Sequence, residues 1–216
     1  MADQRETARR GRPPATERDR RAQRLAISRC AVRLFRERGV TGASGADIAA
    51  AAGISERTLW RQFRTKESCV EPLLAESIEG FREVLRSWPE ETNLTEHLRA
   101  AYTFLPEESD TEMVLAVVRL TRDVPSLRAV WLVLQEQAEP TFARVLGPRL
   151  GLPPDAAEVR LLAATVNAAF RVVTDDVALA TATGATAQAL DGHRDRLAEI
   201  LRDATRVPAA RSGRPG

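Results

Sequence analysis

The sequence predicts an all-α chain of about nine helices, a small helix-turn-helix head followed by a larger helical body. Three observations predict it. Apolar residues recur at the three- and four-residue spacing of helices with one buried face. Gly and Pro punctuate these stretches where short connections belong. No segment sustains the period-two alternation of a half-buried strand.

Taken in order, the first residues are polar and Arg-rich and end in Pro13-Pro14, which reads as a disordered arm. A helix begins near Glu17, with Ile27, Ala31, Leu34 and Phe35 on one face. Gly39 supplies a left-handed stop, and Arg36 and Arg38 suit the negative end of the helix dipole. A short helix follows from about Gly45 to Ala52, where Ser44 and Asp47 form a capping box. Gly53 breaks it. Ser55 caps a third short helix ending at Phe63, and Ile54 can staple to Leu59. Thr65 caps a long fourth helix reaching roughly Trp88. Pro72, several residues past its start, should kink or restart it near Glu71. That kink belongs either to a signalling hinge or to a harmless packed bend.

Further helices are expected near 94–105, 110–122, 126–146, 155–182 and 186–205. Pro89, Pro106, Pro125, Gly147-Pro148, Gly151 with Pro153-Pro154, and Gly184 separate them. The tail from Val207 reads as disordered.

Charge is distributed unevenly. Residues 1–66 hold sixteen Arg or Lys against seven Asp or Glu, while the remainder holds sixteen against twenty-three. A basic head on an acidic body suits a polyanion partner at one end. No apolar run suggests a membrane span or a secretory signal, so the expected compartment is the cytoplasm. Cys30, Cys69, His97 and His193 are scattered and give no metal-ligand spacing. There is no phosphate loop, no nucleophile elbow, and no histidine set with a carboxylate and a serine or cysteine. The expectation is a binding protein without cofactor or metal, and not an enzyme.

The segment from Ala43 to Phe63 carries the chemistry. Two short helices joined at Gly53 form a unit whose second helix fits a major groove. Ala49 permits close approach, and Ile48, Leu59 and Phe63 point inward. On a helical wheel, Arg57 and Arg61 lie nearly opposite Leu59 and Phe63, with Thr58 and Trp60 beside them. Arginine can bond guanine bidentately, threonine offers a hydroxyl or methyl, and an indole N–H can reach a phosphate. The competing reading is a basic solvated face.

The run Ala46-Asp47-Ile48-Ala49-Ala50-Ala51-Ala52-Gly53-Ile54-Ser55-Glu56-Arg57-Thr58-Leu59-Trp60-Arg61-Gln62-Phe63-Arg64-Thr65-Lys66-Glu67 resembles the DNA-binding segment of the TetR/AcrR family of regulators. The likeness runs from about Arg18 to Ala75 and extends by pattern through the later helices. It implies a homodimer with two three-helix heads and a ligand-binding, dimerising body, usually a repressor that leaves its operator when a small molecule binds. By position, Ser44 and Trp60 match phosphate contacts, and Lys66, the one lysine of the chain, matches a backbone-holding lysine at the start of the fourth helix. The family often has Gly-Thr-Leu-Tyr where this chain has Arg57-Thr58-Leu59-Trp60, so no operator sequence carries over. The candidate DNA-contacting set is Ser44, Ser55, Arg57, Thr58, Trp60, Arg61, Gln62 and Lys66, with Arg10 and Arg12 in the arm.

In that arm, Arg9-Arg10-Gly11-Arg12-Pro13 resembles the core of an AT-hook, which tracks a narrow minor groove. Coincidence in an Arg-rich chain is the competing reading. The expected organisation is a disordered basic arm at 1–16, a DNA-binding domain at 17–66 with its helix-turn-helix at about 43–63, a regulatory ligand-binding and dimerisation domain at 67–206, and a disordered tail at 207–216.

The helix at 155–182 is apolar nearly all round and must be buried. Pairing it and the helix at 186–205 with a second copy would make a four-helix dimer bundle; full burial within one chain is the alternative. A ligand cavity among helices four to eight would take its walls from Phe104, Met113, Trp131, Phe142 and Phe170 and its polar anchors from Asn167 and Arg171. Each of these reads first as plain core and only second as cavity lining. The expected partners are a palindromic duplex operator, a second copy of the chain and a small-molecule effector, with no membrane. The alternative is an architectural protein that binds DNA through arm and charge without choosing sequence.

Overall fold

The computed structural model describes residues 16–182 and 187–204. The arm residues Arg10 and Arg12, the turn at Gly184 and the tail from Val207 lie outside them. Among the described residues the chain is all α: α1 (Glu17–Gly42), α2 (Gly45–Ala51), α3 (Glu56–Gln62), a 3-10 turn (Glu67–Val70), α4 (Glu71–Arg86), α5 (Leu94–Ala101), α6 (Glu108–Leu120), α7 (Pro125–Leu150), α8 (Ala157–Ala180) and α9 (Ala187–Ala204).

Local chemistry sets most boundaries. Thr16 opens α1 with a capping box to Asp19. Gly39 breaks α1 with φ 74°, but its ψ of 162° is extended rather than left-handed helical, and the chain makes one more turn before Ala43. The α4 region differs from the single long helix expected. Thr65 and Ser68 bond each other's backbone across a 3-10 turn, and the α-helix begins only at Glu71. Pro72 explains this: it has no N–H to continue an upstream helix, but it fits the first turn of a new one.

Two other expectations are corrected. Gly147-Pro148 is no turn, for α7 runs through both and ends at Gly151 with φ 66°. The reason for Gly147 is tertiary. The chain folds back over the helix end, so a Cβ at Gly147 would lie 2.8 Å from the Leu152 carbonyl oxygen, and Leu152 N–H donates to the Gly147 carbonyl at 3.0 Å. In turn, α5 stops at Ala101, so Tyr102, Phe104 and Leu105 drop from an irregular segment into the core.

One contiguous apolar core runs from Ile27 in α1 to Leu201 in α9. At the centre of the body Phe81 stacks on Phe170 (ring centroids 4.8 Å) and meets Phe142 and Tyr102 edge-on. Alongside, α7 and α8 are joined by Arg128 to Asp175 at 3.1 Å and by Asn167 Nδ2 donating to the Gln135 carbonyl at 3.0 Å. The head is fixed to the body through α1. Arg29 grips Asp110 of α6 with two hydrogen bonds of 2.7 and 2.5 Å, and the Leu73 N–H donates to Ser28 Oγ at 3.2 Å.

Burial of α8 is one-sided. Val159, Ala163, Val166, Phe170, Val173 and Val177 are inside, whereas Leu161 is 70% exposed and Val172 and Leu179 are also open to solvent. A 24-residue helix packed on a single layer of α6, α7 and α9 has neighbours on one side only, and its apolar outer side is left bare. In α9 the apolar residues Leu197 and Leu201 face inward, and the outward positions Asp191, Asp195, Arg196 and Glu199 are polar.

Candidate nucleic-acid interface

The head is built from short-range chemistry. Ser44 Oγ accepts from the Asp47 N–H at 3.1 Å, and the Asp47 carboxylate accepts from the Ser44 N–H at 2.9 Å. The Ser44 hydroxyl and N–H, both donating to the Asp47 carboxylate, with Arg38 nearby, hold that carboxyl below the usual carboxylate range. Ala52 and Gly53 (φ 65°) turn the chain, and the Ile54 N–H still reaches the Ala49 carbonyl at 3.0 Å, so the turn stays tight. Ser55 Oγ then accepts from the Thr58 N–H and opens α3.

Three inward side chains set the pose of α3. Leu59 and Phe63 are buried, as is Ile48 of α2. Arg57 and Arg61 are therefore exposed on the opposite side, and among the described residues neither makes an ion pair. A rigid helix so anchored holds two guanidinium groups outward at helical spacing, the inventory for reading guanine edges. Thr58 is half-buried and its hydroxyl shares a 2.9 Å hydrogen bond with Ser55. Gln62, also half-buried, donates to Gln23 of α1 at 3.3 Å.

Trp60 is 43% exposed, and its indole lies against the start of α2: a Cβ on Gly45 would overlap the ring. A bulky indole fits because position 45 has no side chain, and Gly45 itself is the signal that could have revealed the contact. Lys66 turns inward. Its Nζ donates to the Val40 carbonyl at 2.6 Å and the Ala43 carbonyl at 2.9 Å, tying the loop before α2 to the start of the 3-10 turn. The backbone it holds in this structure is the protein's own.

Sequence reasoning missed Arg24. Its guanidinium donates to the Gln62 carbonyl at 2.5 Å, lies 4.3 Å from the centroid of the Phe63 ring, and comes within 3.7 Å of Glu71. It thus serves the C-terminal end of α3, where a cation meets the orphan carbonyls. Nothing in its local spacing announced that role, since the contact joins residues 24 and 62.

This head is matched by a family profile described as bacterial regulatory proteins, tetR family, over residues 27–73. The HTH-type transcriptional regulator TcmR of Streptomyces glaucescens is 27% identical over 170 residues, covering 74% of this chain and 75% of that protein. Residues 27–73 thus match the tetR family, and the chain is similar to one of its regulators.

Likeness to solved structures extends over the body. Thermus thermophilus FadR, a TetR family transcriptional repressor in complex with lauroyl-CoA, superimposes with a TM-score of 0.54 at 23% identity, covering 89% of this chain and 99% of that one. Salmonella enterica GusR gives 0.54 at 18% identity over 87% and 94%. The helices of head and body and their order are the fold of these two structures. Among the described residues no helix is long and apolar enough to cross a membrane.

In the body, the candidate ligand residues are distributed as follows. Trp131, Phe142 and Phe170 are fully buried, Phe104 and Asn167 nearly so, and Met113 and Arg171 are half-buried. Phe104 lines two clefts, of about 210 and 380 Å³. Arg171 faces Asp175 at 3.7 Å. Asn167 Nδ2 also donates to Glu139 at 2.9 Å, while its Oδ1, the Trp131 Nε1 and both polar side-chain atoms of Gln135 are buried without a protein partner. Gln135 and His193 were not singled out from the sequence. His193 sits among Tyr102, Phe104 and Phe170, and burial lowers its pKa to about 4, so it is neutral.

Proposed function

We propose that the chain is a homodimeric repressor that grips a palindromic operator with two copies of α3 and lets go when a small molecule binds its body. The observation that carries this reading is the opposition within α3: Leu59 is locked in the core while Arg57 and Arg61 face solvent. In this reading residues 17–66 bind DNA and residues 67–206 dimerise and take the effector. Trp60 and Ser44 lie at the phosphate-facing edge, and Ser55, Thr58, Gln62 and Lys66 complete or brace the surface.

The bare side of α8 supports the dimer. Leu161, Thr165, Ala168 and Val172 form an exposed stripe at three- and four-residue spacing, with Leu179 two turns further on past Asp175 and Asp176, the pattern of a helix awaiting a partner helix. Packing against its own copy would bury that stripe isologously, with α9 alongside contributing polar rim contacts. The buried, unpartnered polar atoms of Trp131, Gln135 and Asn167 support a body that hydrogen-bonds an effector. The FadR complex, a repressor holding a small molecule on the same fold, is consistent with that arrangement.

Selection of duplexes from a random pool, followed by footprinting, tests the reading. A palindromic site with half-sites at a spacing fixed by the dimer supports it. Retention of every duplex alike, falling steeply with salt, would mark an architectural protein instead.

A further inference from the structure

A cleft of about 360 Å³ opens between the ends of α4, α5, α7 and α9. Its floor is apolar, made by Leu94 of α5, Leu146 and Leu150 of α7, and Leu162 of α8. Its rim carries two guanidinium groups, Arg149 and Arg202. Among the described residues, no carboxylate stands within salt-bridge distance of either.

The arrangement is held in place. The Trp88 indole N–H donates to the Thr92 carbonyl at 2.6 Å, and the Arg149 guanidinium lies 3.6 Å from the centroid of the Trp88 ring and donates to the Trp88 carbonyl. Arg149 is thereby fixed as a half-buried plane with donors left over. Burial pulls its pKa down, and Glu90 opposes this only at longer range. Both facts describe a cation that gains from an added negative charge. The eight-residue helix α5 starts at the same cleft, with Asn93 as its cap and the positive end of its dipole toward the rim.

An apolar floor alone would suit any oily molecule. Two guanidinium groups without an ion-pair partner among the described residues, beside a helix N-terminus and in a body whose net charge is negative, select for charge as well. The planar forks of arginine match a carboxylate in particular. We propose that this cleft binds an amphipathic carboxylate, its head on Arg149 and Arg202 and its apolar chain along Leu94, Leu146, Leu150 and Leu162.

Calorimetry on the full chain without DNA tests this with three probes of one tail and different heads: decanoate, decan-1-ol and decyltrimethylammonium. The proposal expects decanoate to bind once per protomer, at least about tenfold tighter than the alcohol, with the ammonium weakest. Arg202→Gln and Arg149→Gln should each weaken decanoate at least about fivefold and leave the alcohol unchanged. Should Arg149→Gln lose its fold with its hold on Trp88, the Arg202→Gln result decides alone. Equal affinity for decanoate and the alcohol would reduce the cleft to an unselective apolar groove and overturn the proposal. So would no decanoate binding, or decanoate affinity indifferent to Arg202. Because no DNA is present, any of these outcomes leaves the regulator reading standing.

Discussion

The indole of Trp60 rests directly on Gly45, so closely that a single methyl group at position 45 would occupy the space of the ring. The contact joins the reading helix α3 to the first turn of α2 across the intervening turn. It places the indole against the helix turn that Ser44 caps, the edge proposed to face a phosphate.

This relationship separates stability from binding. Gly45→Ala should not weaken the fold, since alanine favours a helix over glycine by about 1 kcal/mol and the half-exposed indole can swing out. Operator affinity should nevertheless fall about tenfold through the displaced Trp60. Thermal melts and operator titrations on the same variant check both halves.

Lys66 should behave as a structural clamp. Lys66→Met removes its bonds to the Val40 and Ala43 carbonyls, and is expected to cost about 1–3 kcal/mol in urea unfolding. If its charge stays on those carbonyls when DNA binds, the salt slope of operator binding should fall by clearly less than the roughly one unit of a lost phosphate contact.

How much of this was legible in the sequence depends on how local the cause is. The Ser44–Asp47 box, the Ser55 cap and the break at Gly53 each arise within four residues, and all three are present as expected. Pro72 was legible too, as a restart of α4 at Glu71. Gly147 misled because its cause is Leu152 returning over the helix end. Lys66 stood out as a lone lysine, but no spacing links it to Val40. The apolar ring of α8 was legible, yet which side faces inward depends on α6, α7 and α9. Arg24 and the Arg149–Trp88 plate are long-range contacts and left no local mark.

The joint between head and body rests on Arg29 and Asp110. Asp110→Asn should destabilise the chain by about 1 kcal/mol, a value kept low because Arg29 is 38% exposed. The measurement is urea unfolding of the variant beside that of Arg29→Gln and the double variant. A double-mutant coupling near zero would mean the pair contributes nothing at this joint.

Acid should expose His193. Its folded pKa, about 4, lies below the ordinary value of 6.5 because burial disfavours the charged ring. Between those values the unfolded chain binds a proton that the folded chain does not, so stability falls as pH drops from 6.5 toward 4. The loss should reach roughly 2–3 kcal/mol and be absent above neutrality. Subtracting the pH profile of His193→Gln from the parent's isolates it from the carboxylates.

The bare stripe of α8 predicts the assembly. Leu161→Arg should leave each protomer folded, since that side chain is 70% exposed, and should turn a dimer into monomers in analytical ultracentrifugation. A dimer that survives this change would have to form elsewhere.

The most direct test of the outward-facing α3 is the affinity of Arg61→Ala and Arg57→Ala for a selected operator and for random duplex, measured side by side at one salt concentration. The account predicts that the operator loses about 1–3 kcal/mol more than the random duplex, because guanine readout is lost along with charge. Equal losses on both duplexes would show that these side chains touch only phosphate, and would contradict it.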